Sequence, residues 1–190
     1  MAIKLHEVHP SLVHFPIALY PFALAADLAG RISGNRDLMA TGRVSMTGAA
    51  VTTAAAGVFG FIAQEEVKAG EARDLLVTHR TLNVGFLGLV TAMAALRAKT
   101  ERPTWAYISA GLIGFAGLLY SSYLGGKMVY AHGVGVERAG GVAEGESPEL
   151  LPAQAGRVIG HTVRDTVMGV AHTVQDAAHG EIAPKLRRAT

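Results

Sequence analysis

The stretch WAYISAGLIGFAGLLYSSYL, running from Trp105 to Leu124, contains 20 residues and not one Asp, Glu, Lys or Arg. A helix rises 1.5 Å per residue, so about 20 residues cross the ~30 Å hydrocarbon core of a bilayer. Working outward from it, three more apolar blocks precede: about 11–29, 44–63 and 79–96. The third is the shortest and draws on Thr78 and Asn83 to complete its span. None alternates with the period of a barrel strand. In lipid, where backbone groups must be satisfied within the segment, helices are the remaining choice.

The sequence therefore predicts an all-α membrane protein. Residues 1–137 form a bundle of four transmembrane helices, 138–154 a flexible linker, and 155–190 an amphipathic helical tail. Half of the 190 residues are hydrophobic, and they come in blocks rather than in short amphipathic stripes. A net charge of +2 gives no nucleic-acid footprint. The absence of cysteine excludes disulfides, thiolate metal sites, iron–sulfur clusters and covalent c-type haem. The N-terminus lacks the pattern of a cleaved secretory signal, so its apolar run is read as the first span.

Glycines recur inside the blocks at 57 and 60, 85 and 88, and 111, 114 and 117. In lipid, small residues let helix backbones approach closely, which predicts tight packing. Pro16 and Pro21 lie in the first span, where they free the carbonyls of Leu12 and Ile17 and predict a kink. Asp27 lies four residues before Arg31, the spacing of a helix-end ion pair. Trp105, Tyr107, Tyr120, Tyr123 and Tyr130 read as interfacial anchors. Arg31, Arg36 and Arg43 in the first loop and Arg97, Lys99 and Arg102 in the third outweigh the mixed charges of the second. The positive-inside rule then puts both termini outside, in the periplasm if the membrane is a bacterial inner membrane.

In the tail, His161-Thr162-Val163 recurs eleven residues later as His172-Thr173-Val174. Eleven residues make about three helical turns, and Ile159, Val163, Val167, Val170 and Val174 fall on one face. An amphipathic helix from about Ala155 to Ala178 follows, suited to a membrane surface or a partner. His161, His172 and His179 read as solvated tail residues.

Four other histidines carry the functional argument. His9 and His14 open the first span, His79 opens the third, and His132 follows the fourth, so an up-down-up-down bundle brings all four to one membrane face. Imidazoles at that depth are costly unless hydrated, paired or coordinated. His9 and His14, five apart, lie about 140° apart on a helix and cannot share one centre if both are helical. Pro10 suits the first helical position, which makes His9 a cap outside the helix. Asn83, four residues after His79, is placed to orient it. Gly133 and Gly135 allow a tight helix ending. Gln64, Glu65 and Glu66 reach the same level.

The opening HPSLVHFPIAL (9–19), the histidine at 79 and YAHGVGV (130–136) resemble a bacterial membrane family known as a domain of unknown function, the 2231 type. The resemblance covers about residues 5–137 and implies four membrane helices and the same four histidines, but no activity. Loosely, that family is similar to four-helix haem b proteins of respiratory membranes. Three readings stay open. One is a haem b electron-transfer or respiratory accessory subunit, its axial ligands His14 and His132 with His79 as substitute, and His9 and Asn83 supporting them. Another is a non-haem copper or zinc site built from His14, His79 and His132 with Glu65 or Glu66. The third is a cofactor-free scaffold docking through its tail. The partners to expect are the lipid bilayer, a respiratory-type membrane complex or periplasmic electron carrier, and further copies of the chain. No phosphate loop, serine elbow or zinc-protease motif points to a stand-alone enzyme.

Overall fold

The computed structural model describes residues 3–65, 67, 70–136 and 148–187. Glu66, Glu137 and most of the expected linker lie outside them. After a short 3₁₀ turn at Leu5–Glu7 come α1 (Val8–Leu12), α2 (His14–Ser33), α3 (Arg36–Glu65), α4 (Arg73–Lys99), α5 (Trp105–His132), α6 (Ala155–Ala178) and α7 (Pro184–Arg187). Four helical stretches are long and apolar enough to cross a membrane: Leu5–Ser33, Arg36–Glu65, Arg73–Lys99 and Trp105–His132. At 30 residues α3 is about 45 Å long, well beyond the ~30 Å core.

The spans are longer than their apolar blocks because polar residues build the ends. Asn35 caps α3, its Oδ1 accepting from the amides of Asp37 and Leu38 at 2.9 and 3.1 Å. Gly34, at φ 73°, ends α2 in the left-handed region, so a two-residue turn joins the first two spans. Thr104 Oγ1 accepts from the Tyr107 amide at 3.1 Å and starts α5. The far end of α5 closes on Gly133 (φ 65°), with bonds from Gly133 N to Val129 O and from Val134 N to Met128 O. That is the tight ending the glycines predict.

The helix is interrupted between α1 and α2, at Val13, and not at Pro21, which lies inside α2. Pro16 has no amide to offer the Leu12 carbonyl, α1 ends at Leu12, and the ladder resumes with Ile17 N donating to Val13 O at 3.2 Å. His9 consequently lies inside α1 rather than capping a helix from outside. The helix starts earlier than Pro10, which sits at the third position of α1. Likewise α4 starts at Arg73, so His79 stands about two turns inside it, and His132 is the last residue of α5 rather than a residue beyond it.

The chain forms two compact units. Leu12–Ala56 with Asn83–Tyr120 make the first; Met1–Ser11, Gly57–Leu82 and Ser121–Thr190 make the second. In the first, Tyr20 is fully buried among Leu24, Met46, Phe86, Val90 and Met93. Its hydroxyl donates to the Gly111 carbonyl at 3.0 Å, and its ring meets Phe86 edge-on at 4.8 Å. A Cβ at Gly111 would overlap Leu24 and Met93, which is the close approach that glycine permits in lipid. Gly85, Gly88 and Gly117 differ: nothing lies within 4 Å of a Cβ added there.

Asp27 has a different partner from the one its spacing predicts. It faces Arg97 of α4, not Arg31, and both side chains are buried, at 0% and 1% exposure. Arg97 Nη2 donates to Asp27 Oδ1 at 2.8 Å, and Nε reaches Oδ2 at 3.0 Å. Its remaining donors go to the carbonyls of Met39 (2.8 Å) and Thr100 (2.6 Å). Arg31 instead stacks over Trp105 at 4.7 Å and donates to the Pro103 carbonyl. Tyr107 is buried beneath Arg97 and is core rather than an anchor, whereas Trp105, Tyr123 and Tyr130 are exposed as anchors should be.

In the second unit, Ala72, Leu75, Leu124 and Met128 form a small core with Leu76, Leu82 and Val134 around it. The chain start is pinned there: Leu5 N donates to Pro148 O at 3.0 Å, and Leu150 N to Ile3 O at 2.8 Å. Helix α6 has the predicted bounds, and its polar face is the one that packs. Gly169 lies against the Phe61 backbone and its carbonyl accepts from Gln64 Nε2 at 3.0 Å. Asp176 accepts from Arg73 (2.9 Å) and Arg80 (2.6 Å). Two histidines read as solvated are engaged. His172 Nδ1 meets Glu65 Oε1 at 2.9 Å, and His161 meets the buried Asp165 at 3.3 Å.

Candidate functional site

Two of the predicted site residues, His9 and His79, belong to the second unit and interact electrostatically. Each ring rests on a glycine of a different helix. A Cβ at Gly60 of α3 would lie 3.1 Å from His9 Cε1, and one at Gly125 of α5 would lie 3.2 Å from His79 Cε1. Contacts of 3.1–3.2 Å are closer than most side-chain Cβ atoms make, so glycine at these positions lets each imidazole edge approach bare backbone.

His79 is also fixed in rotation and tautomer. Its Nδ1 lies 2.9 Å from the Ser121 carbonyl and 3.1 Å from Ser121 Oγ. A carbonyl can only accept, so Nδ1 carries the proton, and a helical carbonyl has a second lone pair for it. Nε2 is then the basic nitrogen, carrying the lone pair. This is how proteins orient a metal-binding imidazole, with the remote N–H tied to a carbonyl and the other nitrogen aimed at the centre. The same arrangement also satisfies a half-buried histidine with no ligand.

The other candidates are placed differently. His132, in the same unit, is exposed at the end of α5. His14 is the exposed first residue of α2, and Asn83 is partly buried one turn after His79; both belong to the first unit. Glu65 is engaged with His172, and Glu66 lies outside the described residues. Among the described residues no three His, Asp or Glu side chains gather as a metal ion would need. His6, which no sequence pattern singles out, is buried beside Leu5. Ser121 and Gly125 are what sequence reasoning missed. Their signal is a Ser-x-x-x-Gly spacing that puts both on one face of α5, opposite an intramembrane histidine.

Neither the curated proteins nor the solved structures contain a match to this chain. A family model matches residues 5–138, which take in all four spans, the interrupted opening helix and every histidine discussed up to His132. With four helices fit to cross a membrane and that match over most of its length, the chain belongs to the family of predicted membrane proteins DUF2231.

Proposed function

We propose that this multi-pass membrane protein binds haem b through His79 and passes single electrons, with the second unit at the outer face of a bacterial inner membrane. The observation that carries the reading is the fixed tautomer of His79, which leaves Nε2 as the basic nitrogen. His9 is the favoured second ligand because it shares the unit with His79 and interacts with it electrostatically; exposed His132 and His14 are next. A two-imidazole donor set suits haem, whose macrocycle supplies the other four nitrogens, better than copper or zinc, which need three or more protein ligands. Haem b would supply a one-electron couple, exchanged with a respiratory-type membrane complex or a periplasmic carrier.

A cofactor-free accessory subunit is the second reading, favoured by the seating of both rings directly on Gly60 and Gly125. The visible spectrum of the purified, membrane-extracted protein, oxidised and dithionite-reduced, separates the two. Haem gives a Soret band and a sharpened α-band on reduction. His79→Ala then abolishes or converts that spectrum, and His9→Ala, His132→Ala and His14→Ala identify the second ligand. His179→Ala, on the exposed end of the tail, leaves the spectrum unchanged. A colourless protein that stays colourless after haem titration leaves the accessory reading standing.

A further inference from the structure

Helix α6 packs backwards for an amphipathic helix, with its polar face on the bundle and its apolar stripe turned out. Ile159, Val163, Val167, Val170 and Val174 are 43–65% exposed. At 100° per residue they span about 80°. Asp165, Gly169, His172 and Asp176, the inward set, span about 60°, and the two centres stand roughly 150° apart one way and 210° the other. Arg157 and Arg164, both exposed, fall near the middle of the wider gap, and Arg164 also pairs through Nε with Asp165 at 2.6 Å.

What the stripe faces follows from how α6 is held. It touches Phe61, Gln64 and Glu65, one side of α3, and Arg73 and Arg80, one side of α4. The two arginines are seven residues, about 10 Å, apart along α4, yet both bind Asp176. These contacts lie in the last turn of α3 and the first two turns of α4, so α6 is held at the ends of two spans, with its apolar stripe facing away from them. Phe61–Glu65 is the last turn of a span, which sets the level at the bilayer boundary. Exposed Tyr123 and Tyr130 on α5, the latter 93% exposed, are anchors of the same unit.

We propose that α6 is an interfacial helix. Its valine stripe lies in the acyl-chain boundary of the bilayer as a continuation of the lipid-facing surface of α3 and α4, and Arg157 and Arg164 stand at the phosphate level. Thr173, on the flank opposite the arginines, already spends its hydroxyl on the Gly169 carbonyl at 2.6 Å, so that flank tolerates lipid.

The chain has no cysteine, which makes depth measurement direct. Full-length Val163→Cys, Val167→Cys and Gln175→Cys, each carrying an environment-sensitive fluorophore, are reconstituted in nanodiscs of phosphatidylcholine and phosphatidylglycerol. Nitroxide-labelled lipid is expected to quench the 163 and 167 probes at least threefold more than aqueous iodide does, with the order reversed at 175. Iodide quenching dominant at 163 and 167 overturns the proposal and makes the stripe a face for a soluble partner. Protection from both quenchers overturns it in favour of a second copy of the chain.

Discussion

Asp27→Ala removes the carboxylate that Arg97 grips from α4. In the native protein Arg97 makes a two-pronged contact with Asp27 and two further bonds to the Met39 and Thr100 carbonyls, with neither side chain exposed to any useful degree. The alanine variant keeps the backbone acceptors but leaves a guanidinium buried without its counter-charge. Breaking one side of such a pair costs about 3–5 kcal/mol. At about 4 kcal/mol the folding equilibrium constant falls nearly a thousandfold, since each 1.4 kcal/mol is tenfold. Reversible unfolding in mixed micelles, followed by tryptophan fluorescence or circular dichroism, measures it. Replacing both partners with apolar residues of similar size, Asp27→Leu with Arg97→Met, removes charge and counter-charge together and is expected to return to within about 1 kcal/mol of the native protein. Two results would refute the reasoning: Asp27→Ala within 1 kcal/mol of native, or a double variant no more stable than the single one.

Gly169→Leu pushes a side chain into the Phe61 carbonyl, a Cβ there already meeting it at 2.7 Å, and should release α6. Hydrogen exchange across Ala155–Ala178 then rises at least tenfold while the four spans stay protected; unchanged exchange would mean that α6 is not held at Gly169. Tyr20→Phe loses the bond to Gly111 and, by the scale of interhelical bonds in membranes, costs about 0.6–1.7 kcal/mol in the same micelle assay. A cost above 3 kcal/mol would show that the hydroxyl does more than bond that carbonyl. For topology, reporters active only in the cytoplasm should work when fused at Asn35 or Thr100, and a periplasmic reporter after Val136. The reverse pattern inverts the orientation.

Long apolar runs with at most one charge made the spans legible, and period made the tail legible: α6 occupies the residues that its eleven-residue repeat marks. The limits of the spans were less so, because polar caps such as Asn35 and Thr104 extend helices past their apolar blocks. Spacing rules also favour local partners. Asp27 and Arg31 satisfy the four-residue rule, yet the buried partner is 70 residues away, and no pattern in one sequence encodes that distance. Trp105 took Arg31 instead. The histidines could be chosen from position and cost in lipid, but their pairing could not. His9 and His79 share one unit because α1 and α4 bring them there, and Ser121 and Gly125 became meaningful only once α5 lay against His79.

The bridge from Arg80 to Asp176 spans 96 residues, which gives it an order in time. A ribosome makes Arg73 and Arg80 with the third span and reaches Asp176 only after the fourth span is complete. Until then Arg80 has Gln64 of α3 as an acceptor, at 3.2 Å, but neither arginine has the Asp176 carboxylate. The four spans are therefore complete in the chain before the carboxylate that binds both arginines has been made, and α6 can dock only after them. A chain stopped short of Asp176 would hold all four spans yet lack the one carboxylate that ties both arginines of α4 to the tail.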